Sequence, residues 1–292
     1  MCDDRTFRES REHLNNRNEL SRRRFNALSA GTGLAMLLPR AVDAQEVTEQ
    51  NVEVTTPDGV ADCYFVHPTS GRHPGVVVWP DILGLRPAFR QMGRRLAESG
   101  YSVLVVNPFY RSARAPVVPE GATFQDETVR NTVFPLYQQL SAETHITDAR
   151  AFVDFLDAQA AVDPDRRMGT TGYCMGGPMT MRTAWARSDR IGAGASFHGG
   201  RLVTDGPDSP HRLVGEMNAH YLFAIAENDD ENDPEAKNVL RETFDAAGLP
   251  AEIEVYEGAL HGWCALDSSV YNEAQAERAW SRLLVLFDTA LA

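Results

Sequence analysis

Residues 170–177 read TTGYCMGG, and Cys174 stands in this run between Gly172 and Gly176. A cysteine packed as a small hydrophobe needs no flanking glycines. A nucleophile on a tight strand-to-helix turn does, because side chains at those positions would collide across the turn. A helix starting behind the thiol also favours the thiolate, the form that attacks a carbonyl carbon. Two further residues could complete a proton relay. Asp229 follows the apolar run YLFAIA in the segment ENDDEND, and His261 stands in EGALHGWC, after the run AEIEVY. A histidine there would carry protons, and a carboxylate would fix its tautomer. Asp230 and Asp233 compete for the acid role; Asp229, the nearest to the strand end, is the residue assigned.

These three residues must be carried by a scaffold that brings them together. GVVVWP (75–80), YSVLVVN (101–107), IGAGASFHG (191–199), YLFAIA (221–226) and AEIEVY (251–256) are continuous apolar or β-branched runs, as buried parallel strands require. Helix-like segments alternate with them, at about 87–98, 144–159, 234–247 and 271–290, and one opens at GGPMTMRTAWA. In the second of these, Ile146, Ala149, Phe152, Val153 and Leu156 line one face. NVEVTTP and DCYFVHP predict an antiparallel pair at the sheet edge. The stretch 108–140, rich in proline and polar residues, predicts loops and short helices over one end of the sheet. Repeated strand–helix units imply an α/β fold with a mainly parallel sheet and helices on both faces. All three candidates then fall at carboxyl ends of strands, where such sheets build their sites. Their order, nucleophile then acid then histidine, is that of an α/β-hydrolase fold.

The chain has 292 residues, 43% of them hydrophobic, enough for a sizeable core. Its formal net charge of −13 makes nucleic acid and anionic membrane poor partners. Cys2, Cys63, Cys174 and Cys264 are irregularly spaced and suggest neither a metal site nor a disulfide framework. No cofactor is expected. The first 44 residues read differently from the rest. Ser21, Arg22, Arg23 and Phe25 form an S-R-R-x-F pattern, a weakly apolar run extends from Ala27 to Leu38, and Val42-Asp43-Ala44 offers small residues for cleavage. This predicts a twin-arginine-type export signal over 1–44, a catalytic domain over 45–292, and a periplasmic location. The apolar run is too short for a stable membrane anchor.

GYCMGG, AENDD, GALHGW and the stretch WPDILGLRPAFRQMGRRLAESGYSVLVVNPFYR (79–111) together resemble the dienelactone hydrolase family over roughly 50–290. The resemblance implies a cysteine-nucleophile hydrolase of carboxylic esters or lactones that needs no cofactor. It implies that Asp81 is a carboxylate acting on the Cys174 thiol, and that the backbone N–H groups of Ile82 and Met175 form the oxyanion hole. A helix N-cap is the structural alternative for Asp81. His198, just past a strand, is a pocket residue or a capped surface one, and Tyr110 and Trp263 are candidate pocket wall. The family places an arginine four residues after the catalytic histidine to grip a substrate carboxylate; here that position is Ala265. Neutral short-chain esters are therefore expected to be turned over at least as well as carboxylated ones, unless Arg86, Arg111, Arg114 or Arg201 substitutes. The alternative reading from another class is a binding protein for small molecules, on the same fold with a silent or altered site.

Overall fold

The computed structural model describes residues 44–292. The predicted export segment, Ala44 apart, lies outside the described residues. The chain opens with an antiparallel pair, β1 (Val47–Thr56) and β2 (Gly59–Pro68), joined by a turn at Pro57 and Asp58. Six strands follow: β3 (Gly75–Trp79), β4 (Ser102–Val105), β5 (Met168–Tyr173), β6 (Ile191–Phe197), β7 (His220–Ala226) and β8 (Ala251–Tyr256). The eight form one sheet in the order β1-β2-β4-β3-β5-β6-β7-β8. β2 meets β4 antiparallel, and every pairing from β4 to β8 is parallel. Each residue of β3, β5 and β6 is buried, which explains why these runs carry no alternation.

The helices are α1 (Pro87–Glu98), α2 (Glu127–Tyr137), α3 (Ala142–Asp157), α4 (Gly176–Ala186), α5 (Glu227–Asn232), α6 (Ala236–Ala247) and α7 (Glu273–Ala290). α1 and α7 cover one face of the sheet, where Phe89, Leu96, Leu283 and Phe287 join one apolar cluster. α3, α4 and α6 cover the other through Phe152, Met179, Leu240 and Phe244. Each such fully buried side chain stabilises the fold by about 1.5–3 kcal/mol. α3 starts where Ser141 and Thr144 form a reciprocal capping box. Its buried face includes the predicted Ala149, Phe152, Val153 and Leu156, but also His145 and Asp148. α2 lies in the stretch 108–140, where loops and short helices are expected, with Asp126 as its cap and Pro135 inside it.

The chain runs from β3 outward to β4 on one side, then returns to place β5 on the other side of β3. This reversal opens a crevice at the carboxyl ends of β3 and β5, the place where open α/β sheets bind ligands. Ile82 follows β3 and Cys174 follows β5, so the topology alone sets them beside each other.

Candidate active site

Cys174 follows β5 with φ 55°, in the left-handed region that side chains rarely adopt. Its N–H donates to the Phe197 carbonyl at 3.1 Å, and the Gly177 N–H donates back to its own carbonyl at 3.1 Å. Two glycines make the turn sterically possible. A Cβ on Gly172 would lie 2.2 Å from the Gly176 carbonyl oxygen, and one on Gly176 would lie 2.5 Å from the Trp79 carbonyl oxygen. α4 is therefore drawn against the ends of β3 and β5, and Cys174 is held at its N-terminus, 4% exposed.

His261 sits in the loop after β8. Its backbone N–H donates to Asn228 Oδ1 at 2.9 Å, which ties this loop to the start of α5. Its Nδ1–H donates to both oxygens of Asp229, at 2.7 and 2.9 Å. Cys174 and His261 both line one cleft. Burial works against a charged imidazole here, but the Asp229 carboxylate and the Cys174 thiolate outweigh it and hold His261 up at about 9. Burial also opposes the Asp229 carboxylate, and His261 pulls it below the ordinary range. The rival acids face elsewhere. Asp230 is gripped by Lys237 at 2.5 and 2.6 Å, and Asp233 is exposed. Asp229 sits on α5, the short helix that directly follows β7. One turn of helix aims consecutive acids in different directions.

Asp81 and Ile82 line the same cleft. Asp81 does not cap α1, whose cap position is Arg86 with no side-chain cap bond. Its Oδ1 instead accepts the Leu83 N–H at 2.9 Å, closing the turn after β3. Arg86 binds both of its oxygens, at 2.6 and 3.0 Å, and also binds both oxygens of Asp267, at 2.6 and 2.8 Å. Burial pushes the Asp81 carboxyl up while Arg86 pulls it back, and the nearby Cys174 adds a smaller upward push. Neither the Ile82 nor the Met175 amide donates within the network of turn and loop hydrogen bonds.

His198 belongs to the cleft and is 1% exposed. Its ring meets those of His261 and Trp263 edge-on, with centroids 5.0 and 5.1 Å away. Burial, reinforced by His261, keeps it well below the usual histidine range and hence neutral. The two expected wall residues, Trp263 and Tyr110, and the candidate cation Arg201 do not line this cleft. Trp263 is fully buried behind His198, stacked on Tyr256. Tyr110 bonds Thr56 and Asp148, each at 2.7 Å, away from the cleft. Arg201 faces neighbouring pockets instead. The walls that sequence reasoning missed are Thr123–Gln125 and Ser268–Val270. Both are polar loop segments that carry no periodic signal.

The comparisons with known proteins bear on family and fold. The dienelactone hydrolase family model matches residues 61–291. A relative in Methylorubrum extorquens is 27% identical over 276 residues, covering 90% of this chain and 91% of its own length. A Rhodococcus opacus protein named carboxymethylenebutenolidase is 25% identical over 232 residues, covering 78% of this chain and 86% of its own. Among solved structures, a dienelactone hydrolase-like promiscuous phosphotriesterase from metagenomic libraries superposes with a TM-score of 0.69 at 23% identity. It covers 84% of this chain and 99% of its own, and at that identity the likeness speaks for the fold. The matched span runs from β2 into the residues after α7 and includes the whole cleft: the chain belongs to the dienelactone hydrolase family.

Proposed function

We propose that the protein hydrolyses carboxylic esters or lactones with Cys174 as nucleophile. The observation that carries this reading is the strained turn holding Cys174 in the same cleft as His261, whose other ring nitrogen is taken by Asp229. Sγ attacks the carbonyl carbon, and the oxygen that gains charge is met by the N–H groups of Ile82 and Met175. His261, charged at neutral pH, gives its Nε2 proton to the departing alkoxide. An acyl-thioester remains. His261, now neutral, takes a proton from water, the hydroxide adds to the thioester, and the carboxylic acid leaves as the thiolate re-forms. Asp229 keeps the imidazole in one tautomer throughout. Asp81, bound by Arg86, fixes the turn that presents Ile82. The small-molecule substrate class is supported by the family and by the name of the Rhodococcus opacus relative.

Alkylation tests the nucleophile directly. Burial pushes the Cys63 thiol up to about 12 and the Cys264 thiol well above the ordinary range. Of the described cysteines, Cys174 is the one that shares its cleft with a charged imidazole to stabilise its thiolate. Iodoacetamide at pH 6.5 is expected to label Cys174 at least about tenfold faster than either, with ester turnover falling in step. Equal labelling of all three thiols, with turnover untouched, sinks the reading.

We further propose export by a twin-arginine-type signal over 1–44, supported by the Arg22–Arg23 pair and the short apolar run after it. Among the described residues no helix is long and apolar enough to cross a membrane. Replacing Arg22 and Arg23 together by Lys is expected to leave the precursor in the cytoplasm. Mature protein reaching the periplasm at wild-type levels contradicts the assignment.

A further inference from the structure

A second pocket, of about 240 Å³, opens beside Met175, between α3, α4 and the loop after β6. The cleft at Cys174 offers only about 70 Å³, room for a short group. The larger pocket is lined by cations with too few acceptors. Three arginines are buried among the described residues. Arg86 is paired with Asp81 and Asp267, and Arg95 with Glu277. The third, Arg182, is 7% exposed and has no carboxylate partner. Its Nη1 donates to His145 Nδ1 at 3.0 Å and its Nη2 to the Asp208 backbone carbonyl at 2.9 Å, while Nε is buried with no acceptor.

His145 adds another idle donor. Burial, then Arg182 and Arg111, push it down to about 3, so its ring is neutral. Its Nδ1 accepts from Arg182, so the single ring proton sits on Nε2, which is buried without a partner. Arg201 completes the set. It is exposed, is held at φ 60° and makes no hydrogen bond or ion pair with any described residue. The carboxylate facing the pocket is that of Asp208, itself exposed. Arginine stays charged in proteins, so the pocket keeps a positive surplus inside an acidic chain. The other cations suggested to replace an arginine at Ala265 are already occupied. Arg86 is held as described, Arg111 by Asp58 and Asp148, and Arg114 by Glu53.

We propose that this pocket is an anion subsite, in which Arg182 and Arg201 hold a carboxylate at the far end of the substrate's acyl chain. The inference rests on the ester-hydrolase reading and extends it to substrates with a remote negative charge. It reverses the preference for neutral esters expected from Ala265, because the charge is met in the pocket lined by Met175, the residue after Cys174, and not beside His261.

The test compares mono-4-nitrophenyl adipate with 4-nitrophenyl hexanoate, which match in length and differ in a terminal carboxylate. The wild-type kcat/KM ratio is expected to favour the adipate ester. Arg182→Met and Arg201→Gln are each expected to lower that ratio about tenfold or more, while Arg114→Gln, which removes an exposed charge elsewhere, leaves it unchanged. Arg201 is exposed, so its variant keeps the question open to test if Arg182→Met does not fold. Calorimetric titration of free adipate into Cys174→Ala separates the subsite from the chemistry. Binding there that is lost on adding Arg201→Gln supports the pocket even where neither ester is turned over, an outcome that overturns only the hydrolase reading. A ratio unmoved by both arginine substitutions, with adipate binding unaffected, overturns the subsite.

Discussion

Cys174→Ala is expected to lower ester turnover by about 10⁴-fold or more while the protein stays folded, because losing the nucleophile of a triad enzyme costs about that much or more. The substitution removes one sulfur atom from a residue 4% exposed, and Ala strains the left-handed turn no more than Cys does. The effect therefore falls on chemistry. Without Sγ no thioester forms, and His261 has nothing to activate but water. The Ile82 and Met175 amides and the cleft remain, so a small residual rate above the uncatalysed reaction is expected. Cys264→Ala is the matched control. That thiol lies in a separate apolar pocket with Tyr173 and Trp280 and is not part of the cleft. Turnover above about a tenth of wild type in Cys174→Ala, against an expected 10⁴-fold loss, removes the cysteine from the mechanism. A melting point kept within a few degrees in both variants ties the loss to the sulfur rather than to unfolding.

The scaffold was legible because its signals are local. Continuous apolar runs mark β3, β6 and β7, since strands covered on both faces leave no polar side to alternate with. The elbow was legible because Gly172 and Gly176 leave a pattern that sterics demand. What escaped depends on direction or on long-range pairing. α5 is six residues of polar sequence with no apolar period, so nothing in the chain announces a helix there. Arg86 joins Asp81 to Asp267 across most of the sequence, and only the packed fold shows both of its forks occupied. Trp263 and Tyr110 are candidate pocket wall in the sequence but lie outside the cleft. Trp263 points into the core, and Tyr110 is drawn to the Asp148 carboxylate on the buried face of α3. That face was read from its apolar residues alone, so His145 and Asp148 were missed although they share its period.

Asp229→Asn is the sharpest test of how α5 aims its acids. An amide can donate to Nδ1 as well as accept from it, so the neutral ring is free to adopt the tautomer that puts its proton on Nε2. Nε2 is then no longer an acceptor for the proton of the attacking water, and the imidazolium loses the carboxylate that holds it up at about 9. The same change in serine proteases costs about 10⁴-fold in kcat with the geometry intact, and a loss of that order is expected here for the step that consumes the thioester. Formation of the thioester should suffer too, because a ring less charged at pH 7 stabilises the thiolate less. The two steps separate in a rapid-mixing experiment with a chromogenic ester, as a slowed burst followed by a much slower steady state. Asp230→Asn is the comparison. It removes a partner of Lys237, a surface pair at 20% and 23% side-chain exposure, so rates within about twofold of wild type are expected from the small value of such pairs. If Asp230→Asn is instead the damaging change and Asp229→Asn the mild one, α5 presents a different acid to His261 than the bonds at 2.7 and 2.9 Å require.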